Sequence, residues 1–133
     1  MKRVTGFGGI FFKSRDPKAL SEWYRVHLGL DVKPWGGAEL PWATPDNPGG
    51  AGMSMWTPFK ADTPYFAPSE APFMLNFRVA DLHGLIAALR DEGCQVVGEP
   101  QDSEYGKFGW VMDPEGNKVE LWEPPAESPR VTD

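Results

Sequence analysis

Glu120 is the side chain of this 133-residue sequence that is best suited to acid–base chemistry. The sequence predicts that it lies on an inward strand face between Trp56 and Trp122. A carboxylate between two indoles loses water, which raises its pKa and suits it to act as a general base. The alternative interpretation is a structural carboxylate that pairs with Arg78 or Lys13.

Two segments of similar sequence predict the walls of a pocket. Ser54-Met55-Trp56-Thr57-Pro58 matches Glu120-Leu121-Trp122-Glu123-Pro124 in type and partly in identity. Alternation along a strand puts Ser54 and Trp56 on one face, as it does Glu120 and Trp122. The two indoles would then form flat walls that suit a planar or apolar ligand, with Ser54 beside them. Core packing of both tryptophans is the alternative.

Two cations occupy matching positions in the strand-like segments that open the two halves. Lys13 shares a strand face with Phe11, and Arg78 shares one with Asn76. We expect Lys13 and Arg78 to approach each other across a pseudo-twofold axis, where they could hold an anionic substrate. Solvated side chains at the strand ends are the alternative. Phe11 and Asn76 are predicted to contact the ligand.

Tyr105 lies in the segment 102–109, where two glycines flank polar and aromatic side chains. A mobile loop that gates the pocket has this composition, and Tyr105 would then contact the ligand. An ordinary hairpin connection explains the segment equally well.

The elements that must position these residues repeat along the chain. In each half a strand is followed by a helix cap, Asp16 or Asp81, and each helix is predicted to end at a glycine, Gly29 or Gly93. Short strands and turns then follow, so each half is one βαβββ module. We predict one domain: module one over about 5–58, a linker over about 59–72, module two over about 73–124 and a tail over 125–133.

Composition and charge exclude several classes of partner. The net charge is −6 and the 13 Lys and Arg residues form no cluster, which argues against nucleic acid. No apolar run is long enough to cross a bilayer, and the first residues do not resemble a secretory signal. A single cysteine, Cys94, provides neither a disulfide framework nor a multi-thiolate zinc site. We therefore expect a cytoplasmic protein whose partner is a small molecule.

The paired modules and the closing segment DPEGNKVELWEP, residues 113–124, resemble the vicinal oxygen chelate superfamily. This superfamily contains glyoxalase I, bleomycin-resistance and fosfomycin-resistance proteins and extradiol dioxygenases. The resemblance covers about residues 5–124. It implies an α+β fold in which two tandem βαβββ modules form a curved mixed β-sheet around a cavity, and it implies a homodimer.

Metal-dependent members of the superfamily hold a divalent ion with His, Gln or Glu from the first and last strands of each module. The matching positions here are Gly9, Ser54, Met74 and Glu120, and of these only Glu120 has a side chain of the type that ligates a metal ion in the superfamily. We therefore expect no metal cofactor. His27 and His83, the two histidines, are predicted to lie on helices outside the cavity.

Three functions remain open from the sequence. A binding protein that sequesters a small cationic or aromatic compound, as the bleomycin-resistance branch does, agrees best with an aromatic cavity that has few metal ligands. A metal-dependent lyase, isomerase or dioxygenase is the first alternative. A metal-independent enzyme with Glu120 as its base, and Arg78 or Lys13 steadying an enolate-like anion, is the second.

Overall fold

The structure is a computed structural model that describes residues 3–43 and 48–125. Its helices are α1 (Pro17–Leu28) and α2 (Leu82–Asp91). Its strands are β1 (Val4–Ser14), β2 (Ala38–Pro41), β3 (Met53–Lys60), β4 (Phe73–Val79), β5 (Gln95–Val96), β6 (Gln101–Ser103), β7 (Gly106–Met112) and β8 (Lys118–Glu123). None of the helices in the described ranges is long and apolar enough to span a membrane.

One mixed sheet joins the two modules, in the order β2-β3-β1-β4-β8-β7-β5, with β6 paired to β7. The opening strands β1 and β4 run antiparallel at its centre, and each is flanked by the closing strand of its own module, β3 or β8, in parallel. The predicted α+β fold with a curved mixed sheet is confirmed. The modules are less alike than predicted, because the described part of module one has two strands after its helix and module two has four.

The predicted caps begin both helices. The carboxylates of Asp16 and Asp81 accept hydrogen bonds from the backbone N–H groups of Ala19 and Gly84, each at 3.1 Å. Gly29 ends α1 with a φ of +70°, a conformation that glycine adopts without steric cost. These local signals fix where both helices begin and where α1 ends.

The outer face of module two carries the main hydrophobic core. Leu82 and Ile86 of α2 are fully or almost fully buried, and they pack with Val79 and Leu121 of the sheet. On α1, by contrast, the apolar side chains Leu20 and Tyr24 are only partly buried. Trp23 and Leu28 are 51% and 64% exposed, so α1 covers its half of the sheet less completely.

The register of the closing strands decides which side chains face the inner, concave side of the sheet. Glu120 pairs with Asn76, whereas the residue that pairs with Gly9 at the matching place in module one is Met55. Met55 is therefore the structural counterpart of Glu120. Because successive side chains alternate between faces, its neighbours Ser54 and Trp56 lie on the opposite face.

We predict that Leu82→Ala lowers the free energy of unfolding by about 3 kcal/mol, because it removes a fully buried side chain from the core beneath α2. Chemical denaturation followed by circular dichroism measures the change. Leu28→Ala, the same substitution at a side chain that is 64% exposed, is the control and should change it by less than about 0.5 kcal/mol. Equal effects of the two substitutions would contradict this placement of the core.

Candidate functional site

The concave face of the sheet encloses a cavity of about 790 Å³. Most of its wall is apolar, and it is formed by aromatic side chains from β1, β7 and β8 together with two methionines of β3. These residues are Phe11, Phe108, Trp122, Met53 and Met55. Charged groups in the lining are Arg78, Glu39, Glu104 and Glu120.

Glu120 lies at the cavity with only 2% of its surface exposed, and three protein groups donate hydrogen bonds to its carboxylate. Asn76 Nδ2 donates to Oε1 at 2.7 Å. Trp110 Nε1 donates to Oε2 at 2.9 Å, and the Tyr65 hydroxyl donates to the same oxygen. Both oxygens of Glu120 are thus engaged by buried donors.

Burial raises the pKa of Glu120, and the hydrogen bonds from Tyr65, Asn76 and Trp110 oppose the shift by stabilising the carboxylate. Burial also raises the pKa of the Tyr65 hydroxyl, and the adjacent carboxylate raises it further. Tyr65 therefore stays protonated and donates to Glu120 at neutral pH. Asn76 Oδ1 is buried without a hydrogen-bond partner in the described part of the chain.

Lys118 contacts the same network and is not part of the cavity lining. Its side chain is almost fully buried, and Nζ donates to the backbone oxygen of Tyr65 at 2.7 Å. Nζ also lies 5.1 Å and 5.7 Å from the ring centroids of Tyr65 and Trp110, within the range of cation–π contacts. Burial lowers the pKa of Lys118, while the charge of Glu120 raises it.

Trp122 forms a rigid part of the aromatic wall. Its ring stacks on Phe108 at a centroid distance of 6.2 Å and an interplanar angle of 11°. Its Nε1 donates to the backbone carbonyl oxygen of Tyr105 at 2.9 Å. A Cβ atom at Gly106 would lie 2.7 Å from Trp122 Nε1, so this glycine allows the indole to approach the turn. The wall is thus held in place before any ligand binds.

Arg78 projects from β4 into the same cavity. Its guanidinium carbon lies 5.1 Å from the ring centroid of Trp42 and 5.3 Å from that of Trp122. Partial burial lowers the pKa of Arg78, although a guanidinium remains protonated at neutral pH.

Six of the residues predicted to form the site lie together in the cavity lining: Glu120, Trp122, Asn76, Arg78, Phe11 and Tyr105. The segment around Tyr105 is a tight connection between β6 and β7, which agrees with the hairpin alternative. Tyr105 is 69% exposed, so it contributes to the rim of the cavity.

The prediction that Ser54 and Trp56 face the pocket is wrong. Trp56 packs on the other side of the sheet, against Tyr24 of α1 at a centroid distance of 4.7 Å and Phe12 at 5.4 Å. Ser54 Oγ donates to the Phe7 oxygen. The similarity of segments 54–58 and 120–124 suggests an alignment that is one residue out of register. A shift of one residue along a strand moves each side chain to the opposite face of the sheet.

Lys13 and Arg78 do not approach each other, which corrects a second prediction. The backbone of Lys13 bonds to Pro72, just before β4 begins, whereas Arg78 pairs with Gly6 near the other end. At about 3.4 Å per residue the two cations are roughly 20 Å apart along the strands. Lys13 Nζ lies 5.9 Å from the Phe66 ring instead. Antiparallel pairing separates equivalent residues that lie away from the symmetry axis.

The donor set does not fit a divalent metal ion of the kind that the superfamily holds. A Cβ at Gly9 would lie 2.2 Å from the Met55 oxygen, and Met74 is buried in a hydrophobic cluster. Residues 3–43 and 48–125 contain no group of three or more His, Cys, Asp or Glu side chains arranged to hold an ion. Both oxygens of Glu120 accept hydrogen bonds from protein donors, so an ion at this carboxylate would have to compete with them.

The histidines lie away from the cavity, as predicted. His83 is exposed on α2 and its Nε2 lies 2.8 Å from Asp102 Oδ1. His27 is exposed on α1, with its ring 5.1 Å from that of Trp23.

Sequence reasoning missed several residues of the site. Tyr65 lies between β3 and β4 in the segment interpreted as a linker, where no periodicity signals a contact with Glu120. Trp110 and Lys118 could have been found, because strand alternation places Lys118 on the face of Glu120, and Trp110 is paired directly opposite Glu120. Met53 and Met55 were missed through the register error in β3.

Comparison with solved structures shows the same fold in methylmalonyl-CoA epimerases. One in complex with methylmalonyl-CoA and NH4⁺ is 25% identical, has a TM-score of 0.66, and is aligned over 95% of this chain and 99% of its own. The Mycobacterium tuberculosis epimerase is 22% identical with a TM-score of 0.61, over 92% and 89%. A Streptomyces coelicolor epimerase variant with bound 2-nitronate-propionyl-CoA is 21% identical with a TM-score of 0.64, over 91% and 98%.

Curated protein sequences include no significant match to this chain. The family model described as a glyoxalase-like domain matches residues 9–122. This match and the shared fold assign the chain to the glyoxalase-like domain family, within the vicinal oxygen chelate superfamily.

Proposed function

We propose that this protein binds a small planar aromatic compound in its cavity and does so without a metal ion. The observation that carries the proposal is the aromatic wall, in which Phe11, Phe108 and Trp122 line one cavity with Met53 and Met55. Apolar pockets of this size bury most of the surface of a small ligand, and a few polar groups orient it.

The wall favours a flat ligand over a flexible apolar one. Trp122 and Phe108 are nearly parallel, and the hydrogen bond from Trp122 to Tyr105 fixes the indole. An aromatic ligand that packs against this surface gains both apolar burial and ring–ring contacts. Because the rings are already ordered, binding costs little additional side-chain entropy.

The contacts of Glu120 support a site that works without metal. A carboxylate that coordinates an ion must direct its lone pairs to the ion, whereas here Tyr65, Asn76 and Trp110 donate to it. Release of these three donors would leave buried polar groups unpaired, at a cost of about 1–3 kcal/mol each. The internal hydrogen bonds therefore compete with any ion.

A metal-independent enzyme with Glu120 as general base is the second candidate. It is favoured by the position of Glu120 in the cavity lining and by the upward shift that burial gives its pKa. A substrate proton would have to reach a carboxylate that already accepts three hydrogen bonds, which favours the binding function. A homodimer, implied by the family resemblance, and a cytoplasmic location, expected from the composition of the sequence, stay predictions.

We predict that the neutral probe 2-naphthamide binds with 1:1 stoichiometry in the presence of EDTA, as measured by isothermal titration calorimetry. Trp122→Leu should weaken binding about ten-fold, because it removes the aromatic wall. Trp23→Leu, which changes a half-exposed indole on α1, is the matched control and should leave the affinity unchanged. The proposal fails if planar aromatic probes do not bind, if binding requires a metal ion, or if both variants behave alike.

The raised pKa of Glu120 predicts a pH-dependent effect of Glu120→Gln on stability. A carboxyl group whose pKa is raised in the folded state stabilises the fold fully below its unfolded pKa, about 4.5, and this stability is lost as pH rises through the folded pKa. Gln cannot ionise. Relative to wild type, the free energy of unfolding of Glu120→Gln should therefore increase as the pH rises above about 4.5.

Urea denaturation at a series of pH values measures this difference. Glu104→Gln, at a glutamate exposed on the cavity rim, controls for the loss of one negative charge. A difference between Glu120→Gln and wild type that is constant or falls with pH contradicts the assignment of a raised pKa. If Glu120→Gln also leaves binding of 2-naphthamide intact, Glu120 does not contribute to recognition of this ligand, and the general-base candidate has less support.

A further inference from the structure

Arg78 is a cation in the cavity wall without an acidic partner. Arg3, Arg25 and Arg90 each form an ion pair with a glutamate, but Arg78 forms none within residues 3–43 and 48–125. Its guanidinium lies over the indoles of Trp42 and Trp122. Indole rings offer no conventional acceptor, so the N–H donors of this guanidinium remain available to a ligand.

Trp42 is fitted closely beside Arg78. A Cβ atom at Gly6 would lie 2.5 Å from Trp42 Cη2, and one at Gly52 would lie 2.8 Å from its Cε3, so both glycines make room for the indole. Trp42 Nε1 donates to Ser54 Oγ at 2.9 Å. Ser54 in turn donates to the Phe7 oxygen at 2.7 Å. Ser54 thus positions an aromatic ring and does not contact the ligand.

The second indole, Trp122, is held by Phe108 and by its hydrogen bond to Tyr105. Arg78 is therefore positioned by two fixed rings, which reduces the side-chain entropy lost when it pairs with an anion. Trp122 also belongs to the aromatic wall, so the cation lies directly beside the surface proposed to bind an aromatic ring. The arrangement suits a ligand in which an anionic group is attached to a flat ring.

The remaining charges of the cavity limit the charge of that ligand. Glu39 and Glu104 line the cavity and are exposed, and Glu120 lies deeper. These carboxylates repel a group with several negative charges, whereas a single carboxylate can pair with Arg78 through two parallel hydrogen bonds.

We propose that the ligand is a planar aromatic monocarboxylate and that Arg78 is the group that recognises its carboxylate. The inference rests on the proposed function and adds to it the chemical class of the ligand. Ring contacts with Trp122 and Phe108 supply apolar binding energy, and Arg78 selects the charge.

Calorimetric titration with 2-naphthoate and the isosteric neutral 2-naphthamide tests this inference. Wild type should bind 2-naphthoate at least about ten-fold more tightly, because a charge-assisted hydrogen bond contributes enough for one decade in Kd. Arg78→Met should remove the preference while it keeps the affinity for 2-naphthamide. Arg25→Met, the same substitution at an exposed residue of α1, should keep the preference and so controls for net charge.

The outcomes separate the role of Arg78 from the proposed binding of an aromatic compound. Equal binding of the two probes to wild type, or a preference that survives Arg78→Met, overturns the role of Arg78 and leaves the aromatic-binding function standing. Binding of neither probe overturns both. If Arg78→Met does not fold, as judged by circular dichroism, Arg78→Lys and the wild-type ratio of the two affinities still decide, since Lys should retain only part of the preference.

Discussion

The rest of the site depends on one buried carboxylate and the donors that hold it. Glu120 of β8 accepts hydrogen bonds from Asn76 of β4, Trp110 of β7 and Tyr65 of the segment between β3 and β4. A charge in an apolar interior is costly unless it is well paired, so these groups must stay together. The network therefore fixes the connecting segment against the sheet and defines the inner end of the cavity.

The same interaction explains how a fold associated with metal ions can form a cavity of another kind. The carboxylate of Glu120 has protein donors where a metal ion would need its lone pairs. The other matched positions offer only glycine and methionine: Gly9 and Met74 from the sequence, and Met55 in place of Ser54 from the structure. What remains available for recognition is the aromatic wall and one guanidinium. In the proposed function, packing and ion pairing take the place of metal coordination in the cavity, while the strand order of the fold is kept.

Local sequence signals predict the fold well. The caps at Asp16 and Asp81 and the end of α1 at the left-handed Gly29 are found in the structure, because each depends on residues close in sequence. The side chains of β8 are also placed as predicted. Alternation within one strand is a short-range property, and a correct strand assignment is enough to put Glu120 and Trp122 on one face.

Long-range geometry accounts for what the sequence does not predict. Similarity of two short segments cannot fix register to a single residue, and this is why Trp56 was predicted to face the cavity. Residues at matching positions of two repeated modules need not lie close together in space. Lys13 and Arg78 match in sequence but lie at opposite ends of an antiparallel strand pair. The contact of Tyr65 with Glu120 joins residues far apart in the chain through a segment with no regular structure, so no periodicity reveals it.

Elemental analysis of protein purified without chelators tests most directly the central claim that protein donors, and not a metal ion, hold Glu120. We expect far less than one transition-metal or zinc ion per chain, in wild type and in Glu120→Ala alike. One ion per chain in wild type that is lost in a folded Glu120→Ala variant would contradict it.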